Sequence, residues 1–178
     1  MIKMENICEE ILMKALQLVN WMRVKNYAQL KDTDEKYINV EPLTQMKAMK
    51  ILYYMQAASL VLREKPLFDE PMLAWKYGPV IKSVHDKYRG QRSIVDSIDD
   101  QARADYKMIQ QDPEIRDIVN TIYDHYSPRS ATDLMRQTHQ EELCRQTTIN
   151  GIITQDIVKN YFKDIFFANC NNNLNTFV

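Results

Sequence analysis

His139, Glu141, Glu142 and Cys144 fall within six residues of one another. Side chains of these types can hold a metal ion, or pair a thiol with an imidazole for nucleophilic attack. Their spacing argues against both. On a helix, positions 139 and 141 lie about 200° apart and cannot grip one ion. Positions 139 and 142 can, as His-x-x-Glu, but no further ligand motif accompanies them. Nothing marks an oxyanion hole, or a third group that would orient His139 beside Cys144. The cluster reads as a helix end with ordinary polar contacts, and the chain offers no catalytic set, no metal site and no cofactor motif. His85 and His125 stand beside Asp86 and Asp124. Neighbours in sequence point to different helix faces, so both read as surface or capping histidines.

A second group of residues has recognition chemistry instead. Phe68, Trp75 and Tyr77 sit in the stretch 66–77, PLFDEPMLAWKY, beside Pro66 and Pro71. Each can pack in a core. Together they can also form a rigid aromatic edge, since Trp and Tyr give large contact area at low entropic cost. Of the ten methionines, Met46, Met49 and Met55 share one helical segment; core filling is their ordinary role, and an adaptable partner groove the alternative.

Composition removes several function classes. There are only three glycines in 178 residues, and the closest pair is twelve positions apart. A phosphate-binding loop or a dinucleotide turn needs them closer. The 23 basic and 24 acidic residues leave a net charge of −1, which provides no overall attraction for nucleic acid or an anionic membrane. Cys8, Cys144 and Cys170 are odd in number and lack CxxC spacing, so reduced thiols are expected. Residues 7–22 are interrupted by Glu9, Glu10 and Lys14 and suit an amphipathic helix better than a secretory leader. No apolar run approaches the ~20 residues that span a bilayer. The expectation is a soluble, cytoplasmic protein without a membrane partner.

The elements that would position these residues are mostly helical. Residues 6–25 predict a first helix, capped by Asn6 with Glu9 at the capping-box position and Ile7, Ile11, Ala15, Leu18 and Met22 on one face. The polar stretch 26–41 reads as a surface connection with a short strand at 37–40. Residues 44–63, with Thr44 as N-cap, are apolar on most sides and predict the central, buried helix. Gly78-Pro79 reads as the start of a helix that ends at Gly90. Ser93 to Ile98 alternates weakly, and 100–110 suits a short polar helix. Asp112-Pro113 starts the next helix. Ser130-x-x-Asp133 starts another that runs to about Leu143. A turn region at 144–153 leads to a last helix capped by Thr154, with Ile157, Val158, Tyr161, Phe162, Ile165 and Phe166 on its face. The predicted fold is mainly α: a single domain, 1–168, of about six helices around 44–63, with a small β-hairpin element near 66–77. An asparagine-rich flexible tail is expected over 169–178.

Residues 46–88 resemble the Panacea domain, the SocA-like antitoxin domain also found in phage-associated proteins. The resemblance is carried by Lys50 to Tyr54 (a Lys-hydrophobic-hydrophobic-Tyr-Tyr helix), Leu67-Phe68, Ala74-Trp75, Gly78-Pro79-Val80 and Tyr88. Further on, Leu134, Thr138, His139 and Glu141 look like the family's Leu-x-x-x-Thr-His-x-Glu motif, and Ile157 to Phe162 like its closing helix. The resemblance spans roughly 44–166. Where the family has a Pro-Trp pair after that motif, this chain has Leu143-Cys144.

The resemblance implies a non-enzymatic antitoxin that neutralises a toxin by direct protein–protein binding, in some members as an adaptor for a protease. The domain pairs with many unrelated toxins, so it names no single partner. The aromatic edge and the motif residues together give the candidate partner-binding set: Phe68, Trp75, Tyr77, Gly78, Pro79, His85, Thr138, His139 and Glu141. An alternative is a phage or prophage inhibitor of a host or defence protein. A more distant one is a DNA-binding regulator that uses 113–143 as a helix-turn-helix. Arg129, Arg136 and Arg145 favour it, while Asp133, Glu141 and Glu142 disfavour it. The sequence assigns no oligomeric state.

Overall fold

The computed structural model describes residues 12–174. In chain order they form α1 (Ala15–Lys31), a 3-10 turn (Glu35–Tyr37), α2 (Gln45–Leu62), β1 (Met72–Trp75), β2 (Gly78–Ile81), α3 (Lys82–Tyr88), α4 (Asp100–Gln111), α5 (Pro113–Tyr126), α6 (Ala131–Gln140), α7 (Glu142–Gln146), β3 (Ile152–Ile153) and α8 (Gln155–Leu174). The mainly α architecture with a small antiparallel sheet is as predicted. The described residues hold eight helices rather than about six, because α4 is a full helix and the segment after Ser130 divides in two.

α2 organises the rest. Thr44 Oγ1 accepts the Lys47 amide at 3.2 Å, capping the helix where the sequence places it. Every residue from Lys47 to Val61 is buried. α1, α3, α5, α6, α8 and β2 pack around it. A helix without a solvent face must find partners for its polar side chains inside the protein. Gln56, 1% exposed, shows how this is met: its Oε1 accepts the Leu67 and Phe68 amides at 2.7 and 3.3 Å, and its Nε2 donates to the Phe68 carbonyl at 2.9 Å. That clamp holds 67–68 as a loop against α2, so the hairpin lies at 72–81 rather than near 66–77.

α1 starts later than expected. Asn6, Ile7, Cys8, Glu9 and Ile11 lie outside the described residues. Leu12 and Met13 precede the helix, and Met13 bridges to Phe68. At the start, Gln17 Oε1 accepts the Lys14 amide at 2.8 Å, and from elsewhere in the chain Glu70 Oε1 accepts the Ala15 amide at 3.0 Å. The helix also runs on to Lys31, through residues expected to be loop. Asn26 explains this: it is 4% exposed, accepts the Leu43 amide at 2.8 Å and donates to the Glu41 carbonyl at 3.1 Å. A polar side chain that looked like loop is the anchor for the entry into α2. The strand expected at 37–40 is absent; its place follows the 3-10 turn. The weak alternation at 93–98 is an irregular segment, pinned by Arg23 to the carbonyls of Ile94 and Ser97 at 2.6 and 2.7 Å.

The sheet has the order β2-β1-β3, with both pairings antiparallel. Trp75 pairs with Gly78 across the turn residues Lys76 and Tyr77. Gly78-Pro79 therefore belongs to a strand and does not open a helix; α3 begins at Lys82. Proline is tolerated here because β2 is a sheet edge. β3, unforeseen in the 144–153 turn region, adds to the other side of β1, where the Asn150 amide donates to the Ala74 carbonyl at 2.7 Å. Asp112 and Ser130 cap α5 and α6 as read from the sequence. On α8, Val158 and Phe162 are buried, whereas Ile157 and Ile165 are exposed; the helix uses a narrower face than its apolar residues suggest. Its backbone continues to Leu174, into the asparagine-rich stretch, while the Phe166 side chain and residues 175–178 lie outside what is described.

Replacing Gln56 with Leu keeps the volume and leaves two amides and one carbonyl without partners. It is expected to lower stability by about 3–5 kcal/mol in urea unfolding. A loss below about 1 kcal/mol would show that the clamp is not what holds 67–68.

Candidate partner-binding site

Lys50, Tyr53 and Tyr54 occupy positions i, i+3 and i+4 of α2 and so share one face. Lys50 Nζ donates to the Pro79 carbonyl at 3.0 Å, which ties α2 to β2. Tyr53 and Tyr54 donate their hydroxyls to the two oxygens of Glu141, at 2.5 and 2.8 Å. Glu141 can receive both because the expected helix to Leu143 breaks there. Its backbone is extended, φ −66° and ψ 136°, between α6 and α7. The break turns the carboxylate to α2.

Gly78 completes this junction. Its φ is +94°, a region that costs glycine little and other residues much. A Cβ at this position would stand 2.6 Å from Thr138 Oγ1 and 2.8 Å from Lys50 Nζ. The hairpin, α2 and α6 thus meet over a residue that has no room for a side chain. Thr138 is fully buried and its hydroxyl donates to the Met135 carbonyl at 3.1 Å.

Burial dominates the electrostatics. It pushes the Glu141 carboxyl above the ordinary carboxylate range, against the opposing pull of the Tyr53 and Tyr54 hydroxyls and the Lys50 charge. It pulls the Lys50 ammonium down to about 8, with Cys144 and Glu141 opposing. Burial, and then the Glu141 charge, hold the two tyrosines far above their usual value. The Cys144 thiol is pushed up to about 12, by burial first and Glu141 second. A thiol held protonated in this way is a poor nucleophile at neutral pH. His139 is exposed on α6, and no hydrogen bond joins it to Cys144. Among the described residues, no three His, Cys, Asp or Glu side chains gather as a metal-holding group.

Beside the junction lies a cleft of about 510 Å³, between the first turns of α2, the hairpin turn and residues 149–150. Met46, Met49, Trp75, Tyr77 and Val80 form much of its wall, and Lys50 is part of its lining. The Trp75 ring meets His85 edge-on, centroids 4.8 Å apart. His85 Nδ1 lies 3.1 Å from Asp86 Oδ1. Tyr77 is 55% exposed, with the Lys76 ammonium 5.2 Å from its ring centroid.

The residues singled out from sequence therefore divide. Trp75, Tyr77 and His85 come together along the cleft. Phe68, Gly78, Pro79 and Thr138 are buried, and the Glu141 carboxylate is held inward by the tyrosines. These five act on a surface only through what they hold in place. His139 is exposed and is not part of the cleft lining. Met46 and Met49 do line a groove, while Met55 is core. Sequence reasoning missed Lys50, Tyr53 and Tyr54 as site residues. A lysine one turn before two tyrosines, in a helix apolar on most sides, was the available signal. Ile149 and Asn150 were also missed; the stretch 144–153 was expected to turn, but nothing in it showed what it faces.

The stretch considered for DNA reading has its helices on α2, where α5 and α6 both pack. Arg136 pairs with Asp133, and Arg129 bonds to Gln137 and covers the Tyr126 ring.

A protein-family model described as "Antitoxin SocA-like, Panacea domain" matches residues 49–144, just over half of the chain. No curated protein and no solved structure matches it. The matched segment contains Lys50, the tyrosine pair, the hairpin and Glu141.

Two measurements probe the junction. Gly78→Ala is expected to cost roughly 2–4 kcal/mol, from backbone strain plus the close contacts. Adding Thr138→Ala should recover part of that loss, because one of the two contacts goes; full additivity of the two losses would refute the packing described. Lys50 tests the electrostatics. Between about pH 8 and 10.5 the unfolded chain carries a proton that folded Lys50 lacks, so this group's contribution to stability rises with pH. Wild type should gain on Lys50→Met over that window by up to about 3 kcal/mol. Cys144, which acts in the opposite sense, is common to both chains. A flat difference curve would show that Lys50 is not desolvated.

Proposed function

The chain belongs to the antitoxin SocA-like, Panacea domain family, and from that premise we propose that it neutralises a toxin protein by binding it directly, with no bond made or broken. The observation that carries this reading is the aromatic-edged cleft, built on a buried junction that fixes its walls. Trp75 and Tyr77 are large and stiff, and the hairpin that presents them is tied to α2 through Lys50 and Pro79. Rigid aromatic anchors beside a preformed depression are what protein hot spots are made of. An adaptor role, in which the same surface holds the toxin for a protease, uses the same contacts. The reading places the protein in the cytoplasm, which suits the free thiol of Cys144; no helix among the described residues is long and apolar enough to cross a membrane.

The test is co-expression with the product of the adjacent gene. Growth arrest by that product, relieved by this chain, and a stoichiometric complex on purification are the expected results. Tyr77→Ala should abolish the relief and leave the melting temperature unchanged, because the side chain is mostly exposed. Trp75→Ala should weaken the complex about thirtyfold and also lower stability by about 2 kcal/mol, since its ring packs on His85. A neighbouring product that is not toxic, together with no stoichiometric partner, would sink the proposal.

A further inference from the structure

The cleft has a chemical preference that its aromatic edge does not explain. Its charged and titratable lining consists of Lys50, Lys76, His85 and the Tyr77 phenol, with no Asp or Glu. Lys50 is 1% exposed, and its ammonium has three N–H groups. One of them is used, on the Pro79 carbonyl. Glu141 exerts an attraction on Lys50 but makes no ion pair with it; both of its oxygens are taken by Tyr53 and Tyr54. Asp86, beside His85, is covered by Lys82 and Arg89. The indole Nε1 of Trp75 is buried and has no acceptor. Two residues that line the cleft thus keep donor capacity: the Lys50 ammonium has N–H groups beyond the one on Pro79, and the Trp75 indole N–H has no acceptor. Buried donors left unpaired are costly, and an anionic acceptor relieves that cost.

We propose that the cleft receives an acidic residue of the partner, flanked by apolar residues, with its carboxylate on the Lys50 ammonium and the Trp75 indole N–H. The inference rests on the toxin-binding reading above and names the chemistry of the contact. Two donors suit the two oxygens of a carboxylate. Met46, Met49 and Val80 suit the apolar neighbours. Tyr77 and Ile149, 55% and 73% exposed, continue the apolar surface beyond the cleft. A protein segment covers that extension and a free organic acid does not.

The experiment selects peptides from a displayed random library on the immobilised full chain. Selected sequences should carry Asp or Glu next to Leu, Ile, Met or Phe. A synthetic peptide of that sequence should bind at least tenfold more weakly to Lys50→Met, and at least tenfold more weakly to Ile149→Glu, which puts a like charge at the mouth. Ile149 is 73% exposed, so this second variant keeps its fold if Lys50→Met does not. Peptides without an acidic residue, no selected peptide at all, or an unchanged affinity in Ile149→Glu would each overturn the inference. Neutralisation of the toxin by a folded Lys50→Met chain that no longer binds the peptide would overturn it while leaving the antitoxin reading intact. Selection of acidic peptides in the absence of any toxic neighbour would support it and discard the antitoxin reading.

Discussion

A helix enclosed on every side keeps polar side chains only where another segment brings them a partner. α2 has this constraint along its whole buried length. Lys50 takes the Pro79 carbonyl from the hairpin, Tyr53 and Tyr54 take Glu141 from the α6–α7 break, and Gln56 takes the backbone of 67–68. Ser59 donates to the Lys65 carbonyl at 2.8 Å. Read along the helix, these side chains are a set of addresses at which the later chain must arrive. Apolar burial supplies the driving force, but it does not discriminate between arrangements of similar volume. The polar addresses do, because each wrong arrangement leaves a donor or acceptor unpaired.

The tyrosine pair shows how much converges on one address. The Tyr54 ring stacks on Tyr126 of α5, centroids 4.0 Å apart and planes within 5°. Phe162 of α8 meets both tyrosines edge-on, at 5.5 and 6.0 Å. Glu141 adds the junction of α6 and α7. Two consecutive residues of α2 thereby reach α5, α8 and the α6–α7 junction. A carboxylate in such surroundings is disfavoured as an ion, and the two hydroxyl donors, together with the nearby Lys50 charge, offset that penalty. The helix break at Glu141 forgoes regular backbone bonding for a turn. In return the carboxylate reaches donors that would themselves be stranded in the core.

What was legible in the sequence follows from this. Local chemistry was readable: Thr44, Asp112 and Ser130 cap helices because their side chains act on amides two or three residues away. The buried nature of α2 was readable from its lack of a polar face. Features set by distant partners were not. The start of α1 depends in part on Glu70, its extension on Asn26 reaching Leu43 and Glu41, and the break in α6–α7 on tyrosines some 88 positions away. Gly78-Pro79 misled for a related reason. The same dipeptide suits a helix start and an edge strand, and only the pairing with Trp75 decides. The candidate site was half legible in the same sense. The motif residues mark the junction, while the surface beside it is made by residues, Met46, Ile149 and Asn150 among them, that no local rule selects.

That division has a consequence for recognition. Gly78, Thr138 and Glu141 face inward and permit little substitution, since one lacks room for a Cβ and another answers two hydroxyls. The exposed wall residues Met46, Tyr77 and Ile149 carry no such obligation and can change to suit a different partner without disturbing the junction. Lys50 belongs to both. It braces the hairpin through Pro79 and lines the cleft, and burial pulls its ammonium down to about 8. A carboxylate delivered to that ammonium would favour its charged form, so binding would raise the lysine's proton affinity and, by the same linkage, stabilise the fold. Recognition and stability would then meet at one side chain: the partner supplies the counter-charge that the core itself keeps occupied with tyrosines.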